Sequence, residues 1–313
     1  MISRRLIRIK AFKTLYACEA SGDVDVPAAI KEFDFSCEKV RELYYFIINF
    51  SASLVDVARQ HIESGMSKFK PTEEEMNPNM KFVNNRFFSL LSDDPKFGMF
   101  CQKHSLIWNE YDVFVRKVYN SMVTKEYYKN YMESGIDSFE EDCTLASCIF
   151  QDEFEDDEDL ARILEEKSIY WIDDLEYVLN VIIANIEVTR KKKAIVHPTT
   201  FTKEEDKAYG ERLLGDAMLR YDEYFSLVSG KLNNWDTERL VPTDAALIIL
   251  GITEAVSFPT IPVKVTINEF VEIAKYYSTP NSRIFVNGLL DRVIQEKIAS
   301  GEVSKQGRGL LQN

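Results

Sequence analysis

Apolar positions recur at three and four residues along most of this chain, the spacing of helices that bury one face. Ser3 is placed to cap a helix running to about Ala20, with Gly22 to stop it. Pro27 suits the first position of a second helix. From Cys37 to Ser64 the residues Val40, Leu43, Tyr44, Ile47, Phe50, Leu54, Val57 and Ala58 form one stripe. That stripe predicts a long amphipathic helix ended by Gly65. Residues 66–80, with Pro71 and Pro78, read as a linker. Helices follow after Asp94-Pro95, over Leu106–Tyr119, over Thr124–Met132 and behind the capping box Ser138-x-x-Glu141. Trp171 to Lys192 carries Ile172, Leu175, Leu179, Ile182, Ile183 and Ile186 on one face. A second capping box, Thr202-x-x-Glu205, opens a helix to about Val228. Pro242-Thr243-Asp244, Pro262 and Thr279-Pro280 start the last three helices. The final two have the stripes Val263, Ile267, Phe270, Ala274, Tyr277 and Val286, Leu289, Leu290, Val293. No stretch has the period of a strand, so the predicted fold class is all-α.

Composition agrees, with 45% apolar residues and only 12 Gly and 9 Pro among 313. The length admits one large domain or two ordinary ones. The net charge of −13 argues against a general polyanion binder, because phosphate repels an acidic surface. The charge is uneven, however. Residues 133–176 hold 17 carboxylates against 2 basic side chains, whereas residues 1–18 hold Arg4, Arg5, Arg8, Lys10 and Lys13 and no acid. Five unpatterned Cys and three scattered His predict reduced thiols and no metal site. No apolar run has the ~20 residues of a membrane span, and a cytoplasmic location is expected. The Gly307-Arg-Gly309 tripeptide has neither a strand before it nor a helix after it, so it is no phosphate loop. No catalytic set and no cofactor are expected.

Two segments carry candidate chemistry. Arg4, Arg5 and Arg8 fall in the first turns of a helix, where the dipole makes each cation cost about 0.3–1 kcal/mol. An anion at that end would repair the clash, since free N–H groups and guanidinium forks both bind phosphate. Arg190–Lys193 instead lies at a helix C-terminus, where cations complement the dipole. In the last helix, Phe285 falls on the shoulder of the buried stripe, on the side of Arg292. Gly288, between them, costs roughly 1 kcal/mol against Ala. This trio suits either a splayed base or peripheral core with close helix packing. Asn281, Ser282 and Arg283 sit at the N-terminus of the same helix, a phosphate-friendly place. The block Asp152–Asp159 reads as solvated, or as a contact for a basic partner.

The C-terminal run Ile261-Pro-Val-Lys-Val-Thr-Ile-Asn-Glu, then Ala274-Lys and Ser282-Arg-Ile-Phe-Val-Asn-Gly-Leu-Leu-Asp291, resembles the signature of the NusB family. Arg4-Arg-x-x-Arg8-x-x-Ala11-x-x-x-Leu15-Tyr16 is similar to that family's arginine-rich first helix. The resemblance covers about residues 3–20 and 205–298. It implies an all-α, NusB-like helical bundle with an additional helical insertion. The expected organisation is residues 1–65 as N-terminal helices, 66–200 as the insertion and 201–313 as the family core. By the same resemblance the chain is a transcription antitermination factor and not an enzyme. Its implied partners are boxA-type single-stranded RNA, NusE (the small-subunit ribosomal protein) and, indirectly, the RNA polymerase elongation complex on ribosomal RNA operons. Arg4, Arg5, Arg8, Asn281, Ser282, Arg283, Phe285 and Arg292 become the RNA-binding candidates, and Tyr16 and Asp244 the partner-binding ones. Some relatives carry a lysine before the phenylalanine where this chain has Ile284. The alternatives are a protein-only scaffold, which the net charge favours, and a NusB-like accessory to ribosomal RNA modification.

Overall fold

The computed structural model describes residues 1–22, 24–154, 157–232 and 240–310. In chain order its α-helices are α1 (Arg4–Ser21), α2 (Val26–Met66), α3 (Glu73–Met76), α4 (Arg86–Ser92) and α5 (Pro95–Lys103). Next come α6 (Asp112–Met122), α7 (Glu126–Glu133), α8 (Phe139–Asp152), α9 (Glu158–Lys167) and α10 (Leu175–Lys192). The last five are α11 (Glu204–Leu219), α12 (Tyr221–Lys231), α13 (Pro242–Ser257), α14 (Val263–Tyr277) and α15 (Ser282–Ala299). Among the described residues the β-structure is a single isolated bridge between Ile2 and Phe201. The all-α expectation holds.

Local chemistry explains most boundaries. Ser3 Oγ accepts from the Leu6 N–H at 3.3 Å, and Gly22 closes α1 at φ 72°, a left-handed conformation cheap only for glycine. Ser138 Oγ caps α8 through the Glu141 N–H at 3.1 Å. Four expectations shift. The helices begun at Pro27 and Cys37 are one helix, because Ala28-Ala-Ile-Lys-Glu-Phe33 contains no breaker. The 66–80 linker contains α3, opened by a full capping box between Thr72 and Glu75. The helix expected from Leu106 starts at Asp112, after a 3-10 turn over Asn109–Tyr111. The expected capping box at Thr202 does not set the start of α11: Lys203 occupies the N-cap and makes no side-chain cap, and the helix breaks again at Arg220.

The chain folds as two compact units. One comprises Glu38–Thr200 with Met1; the other comprises Ile2–Cys37 with Phe201–Asn313. The boundary between Cys37 and Glu38 falls inside α2. The first unit is built on rings. Phe46 stacks on Trp108 at 4.1 Å and on Trp171 at 5.2 Å, and Phe50 meets Trp108, Phe114 and Phe154. Each indole N–H has a carbonyl partner, Trp108 on Phe46 O and Trp171 on Lys39 O, both at 2.8 Å. Within this unit Arg190 and Lys193 are paired with Glu187 and Glu140, in keeping with a basic run that closes a helix. Of the acidic block, Glu155 and Asp156 lie outside the described residues. Asp157 and Asp159 both hold Lys117 at 2.7 Å, and the buried Glu153 holds Lys125.

The second unit is a bundle centred on α13, which is buried on nearly all sides from Asp244 to Ala255. Helices α1, α11, α12, α14 and α15 pack around it. From α1 it receives Leu6, Ile7, Ala11, Phe12 and Leu15, all buried. Gly210 on α11 admits a close approach. A Cβ there would lie 2.4 Å from the Phe33 ring and 2.8 Å from Ile7. Most of the acidic excess lies in the first unit. Residues 38–200 hold 30 carboxylates and 19 basic side chains, leaving the remainder of the chain with 21 and 19.

Candidate nucleic-acid interface

All ten candidate site residues lie in the second unit, but they fall into two groups near opposite ends of α13. The first group is the start of α1. Arg4 Nε is 3.0 Å from Asp206, and Arg5 grips Glu269 with Nε and Nη2 at 2.9 and 2.7 Å. Both arginines are exposed. The anion that the dipole argument asks for at this end is therefore supplied partly by the chain itself.

Arg8 departs from the expectation. It is buried, and its guanidinium forks onto Glu254 at 2.6 and 3.0 Å. Glu254 is fully buried and also accepts from the hydroxyls of Tyr209 and Thr266. Burial works against the Arg8 charge, but Glu254, Tyr209 and Glu269 outweigh it, so the guanidinium pKa is raised. Burial, with Glu254 next, pushes the Tyr209 phenol well above its usual value. A guanidinium committed in this way cannot lie on the surface beside Arg4 and Arg5. Arg8 ties α1 to α13.

Of the others, Asp244, Asn281, Ser282, Phe285 and Arg292 line a cleft of about 760 Å³ between the end of α12, the start of α13 and the first half of α15. Asn281, Phe285, Gly288 and Arg292 recur at three and four along α15 and so share one face. Phe285 is half-buried, while Ile284 beside it is 79% exposed. Nothing among the described residues comes within 4 Å of a Cβ placed on Gly288. Arg283 is exposed on the same turn. Lys231 closes the opposite wall. Sequence patterning missed Lys231 because it stands alone just past the expected end of its helix, about Val228.

Ser282 and Asp244 form the floor. Ser282 Oγ donates to Asp244 Oδ2 at 2.8 Å and Ser278 Oγ donates to Oδ1 at 2.6 Å. Thr279 N–H donates back to Ser282 Oγ at 3.2 Å. Burial raises the Asp244 pKa against the lowering effect of the two hydroxyls. Asp244 is thus a buried floor residue that fastens α13 to the α14–α15 junction, with both oxygens occupied, rather than an exposed contact. Tyr16 is 38% exposed and stacks toward Phe12, which in turn meets Tyr277 at the end of α14. From Asp244 to Glu254 is ten residues of helix, so the cleft and the Arg8 end stand about 15 Å apart along α13.

A helical bundle that presents surface arginines at one end and a cleft of cations, an aromatic ring and bare helix backbone at the other has the features of a single-strand nucleic-acid binder. The comparisons give the family. The NusB family model matches residues 175–295, which begins at α10. The transcription antitermination protein NusB of Salinibacter ruber is 30% identical over 143 residues, covering 44% of this chain and 89% of the relative. That of Methylacidiphilum infernorum is 40% identical over 93 residues, 30% of this chain and 65% of its own length. That of Chloroherpeton thalassium is 30% identical over 125 residues, 40% of this chain and 59% of its own. No solved structure matches. The chain belongs to the NusB family, and more than half of it lies outside each of these three alignments.

Proposed function

We propose that this protein is a transcription antitermination factor that binds boxA-type single-stranded RNA through its second unit, together with NusE, in a transcription complex on ribosomal RNA operons. The observation that carries the RNA reading is the shared face of α15, where Asn281, Phe285, Gly288 and Arg292 line one cleft. Arg4 and Arg5 supply phosphate contacts at the far end of α13, Arg283 and Arg292 supply them along α15, and Phe285 offers a stacking surface. Arg8 and Asp244 hold the scaffold, while Tyr16 remains on the surface for the protein partner. The near balance of charge in this unit removes the objection that the net −13 raises.

A titration of labelled single-stranded RNA, with and without purified NusE, tests the reading. Arg5→Ala should weaken binding to all sequences and shrink the salt slope by roughly 0.7. Phe285→Ala should cost about 1–3 kcal/mol of affinity with little change in that slope. Lys191→Ala with Lys192→Ala should leave binding unaltered. Full affinity in a folded Arg4→Ala/Arg5→Ala/Phe285→Ala variant would defeat the proposal and leave the protein-only scaffold in its place.

A further inference from the structure

Two cations that line the cleft, Lys231 and Arg292, share one anion. Lys231 Nζ, at the end of α12, is bound to Glu296 Oε2, and Arg292 Nε stands 3.6 Å from Glu296 Oε1. Glu296 is one helical turn beyond Arg292 on α15, and it does not line the cleft, whereas both of its partners do. The three side chains differ in freedom. Lys231 is 15% exposed and stays on the wall, while Glu296 and Arg292 are 49% and 62% exposed. The half-exposed carboxylate can therefore swing into water at little cost, because exposed ion pairs are weak.

We infer that Lys231 is a phosphate-binding residue of this cleft, acting opposite Arg292, and that Glu296 is an internal anion which occupies both cations until RNA displaces it. The inference rests on the RNA reading above and adds to it a residue and a means of tuning. The chemistry is a like-for-like exchange. A phosphodiester carries the same single charge as the carboxylate and also presents two acceptor oxygens. On entry it takes the ammonium and the guanidinium from Glu296, which rotates outward. The same arrangement makes Glu296 a negative charge beside both cations, which repels a phosphate approaching them. Its pKa is held below the usual carboxylate range by the Lys231 hydrogen bond, so it is ionised at neutral pH. Affinity is therefore set below what the two cations alone would give, which favours release of the RNA.

The experiment measures binding of a fluorescein-labelled, randomised single-stranded RNA pool by full-length protein, with the melting temperature of each variant recorded alongside. Glu296→Gln keeps the side-chain shape and removes the charge; its affinity should rise, by roughly three- to tenfold, and the salt slope should steepen. Lys231→Ala should lower affinity several-fold and flatten the slope by roughly 0.7, and Lys231→Arg should restore it. Lys231→Ala should also cost more in the Glu296→Gln background than in the wild type, because the lysine is then no longer shared. If the pair only ties α12 to α15, both variants melt earlier and neither changes RNA affinity per folded molecule, which overturns the inference. Wild-type binding that is lost with Phe285→Ala but indifferent to Lys231→Ala and Glu296→Gln overturns this inference and spares the RNA reading. No binding by any variant overturns both.

Discussion

Arg8→Ala is the variant that separates the scaffold from the surface. The side chains of Arg8 and Glu254 are 4% and 0% exposed, so the substitution strands a carboxylate with no solvent to turn to. Two unit charges about 4 Å apart interact by roughly 4 kcal/mol at an effective dielectric of 20. Breaking a buried pair by removing one partner costs about 3–5 kcal/mol by the same reasoning. The hydroxyls of Tyr209 and Thr266 remain on Glu254 and soften the loss without supplying charge. Arg8→Ala should therefore destabilise the second unit by about 3–5 kcal/mol. Arg4→Ala and Arg5→Ala, which break exposed pairs, should each cost at most about 1 kcal/mol. The assay is urea unfolding followed by circular dichroism. It should be repeated on Arg8→Met/Glu254→Gln, in which no buried charge is left unpaired. That double variant should be more stable than Arg8→Ala, with a coupling energy above about 1 kcal/mol across the cycle. An Arg8→Ala variant no less stable than Arg4→Ala, yet defective in RNA binding, would refute the argument and return Arg8 to the interface.

Three further outcomes follow from particular contacts. Gly210→Ala drives a Cβ into Phe33 and Ile7 and should cost about 1–3 kcal/mol in the same urea assay. Gly288→Ala meets nothing among the described residues and improves helix propensity, so stability should rise by up to about 1 kcal/mol while RNA affinity falls if a base lies on that backbone. The Arg5 hydrogen bond holds the Glu269 pKa below its ordinary 4.5. A depressed carboxylate contributes stability above its unfolded pKa and loses it as pH falls through the folded one. Wild type and Arg5→Ala should thus differ at neutral pH and converge well below pH 4.5, as read from urea midpoints across that range.

What the sequence made legible was local and periodic. Helix starts at Ser3, Asp94, Ser138 and Pro242 could be read because a capping hydroxyl or carboxylate, or a proline, acts within three residues of itself. The stripe of α15, and with it the face that lines the cleft, followed from spacing alone. The fate of the arginines was not legible. Arg4, Arg5 and Arg8 share one motif, yet their separation into two surface residues and one buried tie depends on Asp206, Glu254 and Glu269, between 202 and 264 positions away. Nothing local distinguishes Arg8 from its neighbours. The same holds for Lys231, whose meaning comes only from Arg292 and Glu296 on another helix. The break at Arg220 was missed for a related reason: no proline or glycine marks it.

The discontinuity of the second unit has a consequence for how the protein is made. Its first 36 residues leave the ribosome before the 163 residues of the other unit, and their packing partners on α11 and α13 come later still. At about 5–20 residues per second, synthesis of the intervening segment takes roughly 10–30 s. Through that interval Leu6, Phe12 and Leu15 lack the α11 and α13 surfaces of their unit, so the N-terminal helix is open to chaperones and to misdocking. Folding of residues 38–200 ahead of the rest would limit the hazard, because closing the ends of a folded unit costs less entropy than closing a long flexible loop. The acidic unit would then act as a folding spacer for the unit it interrupts.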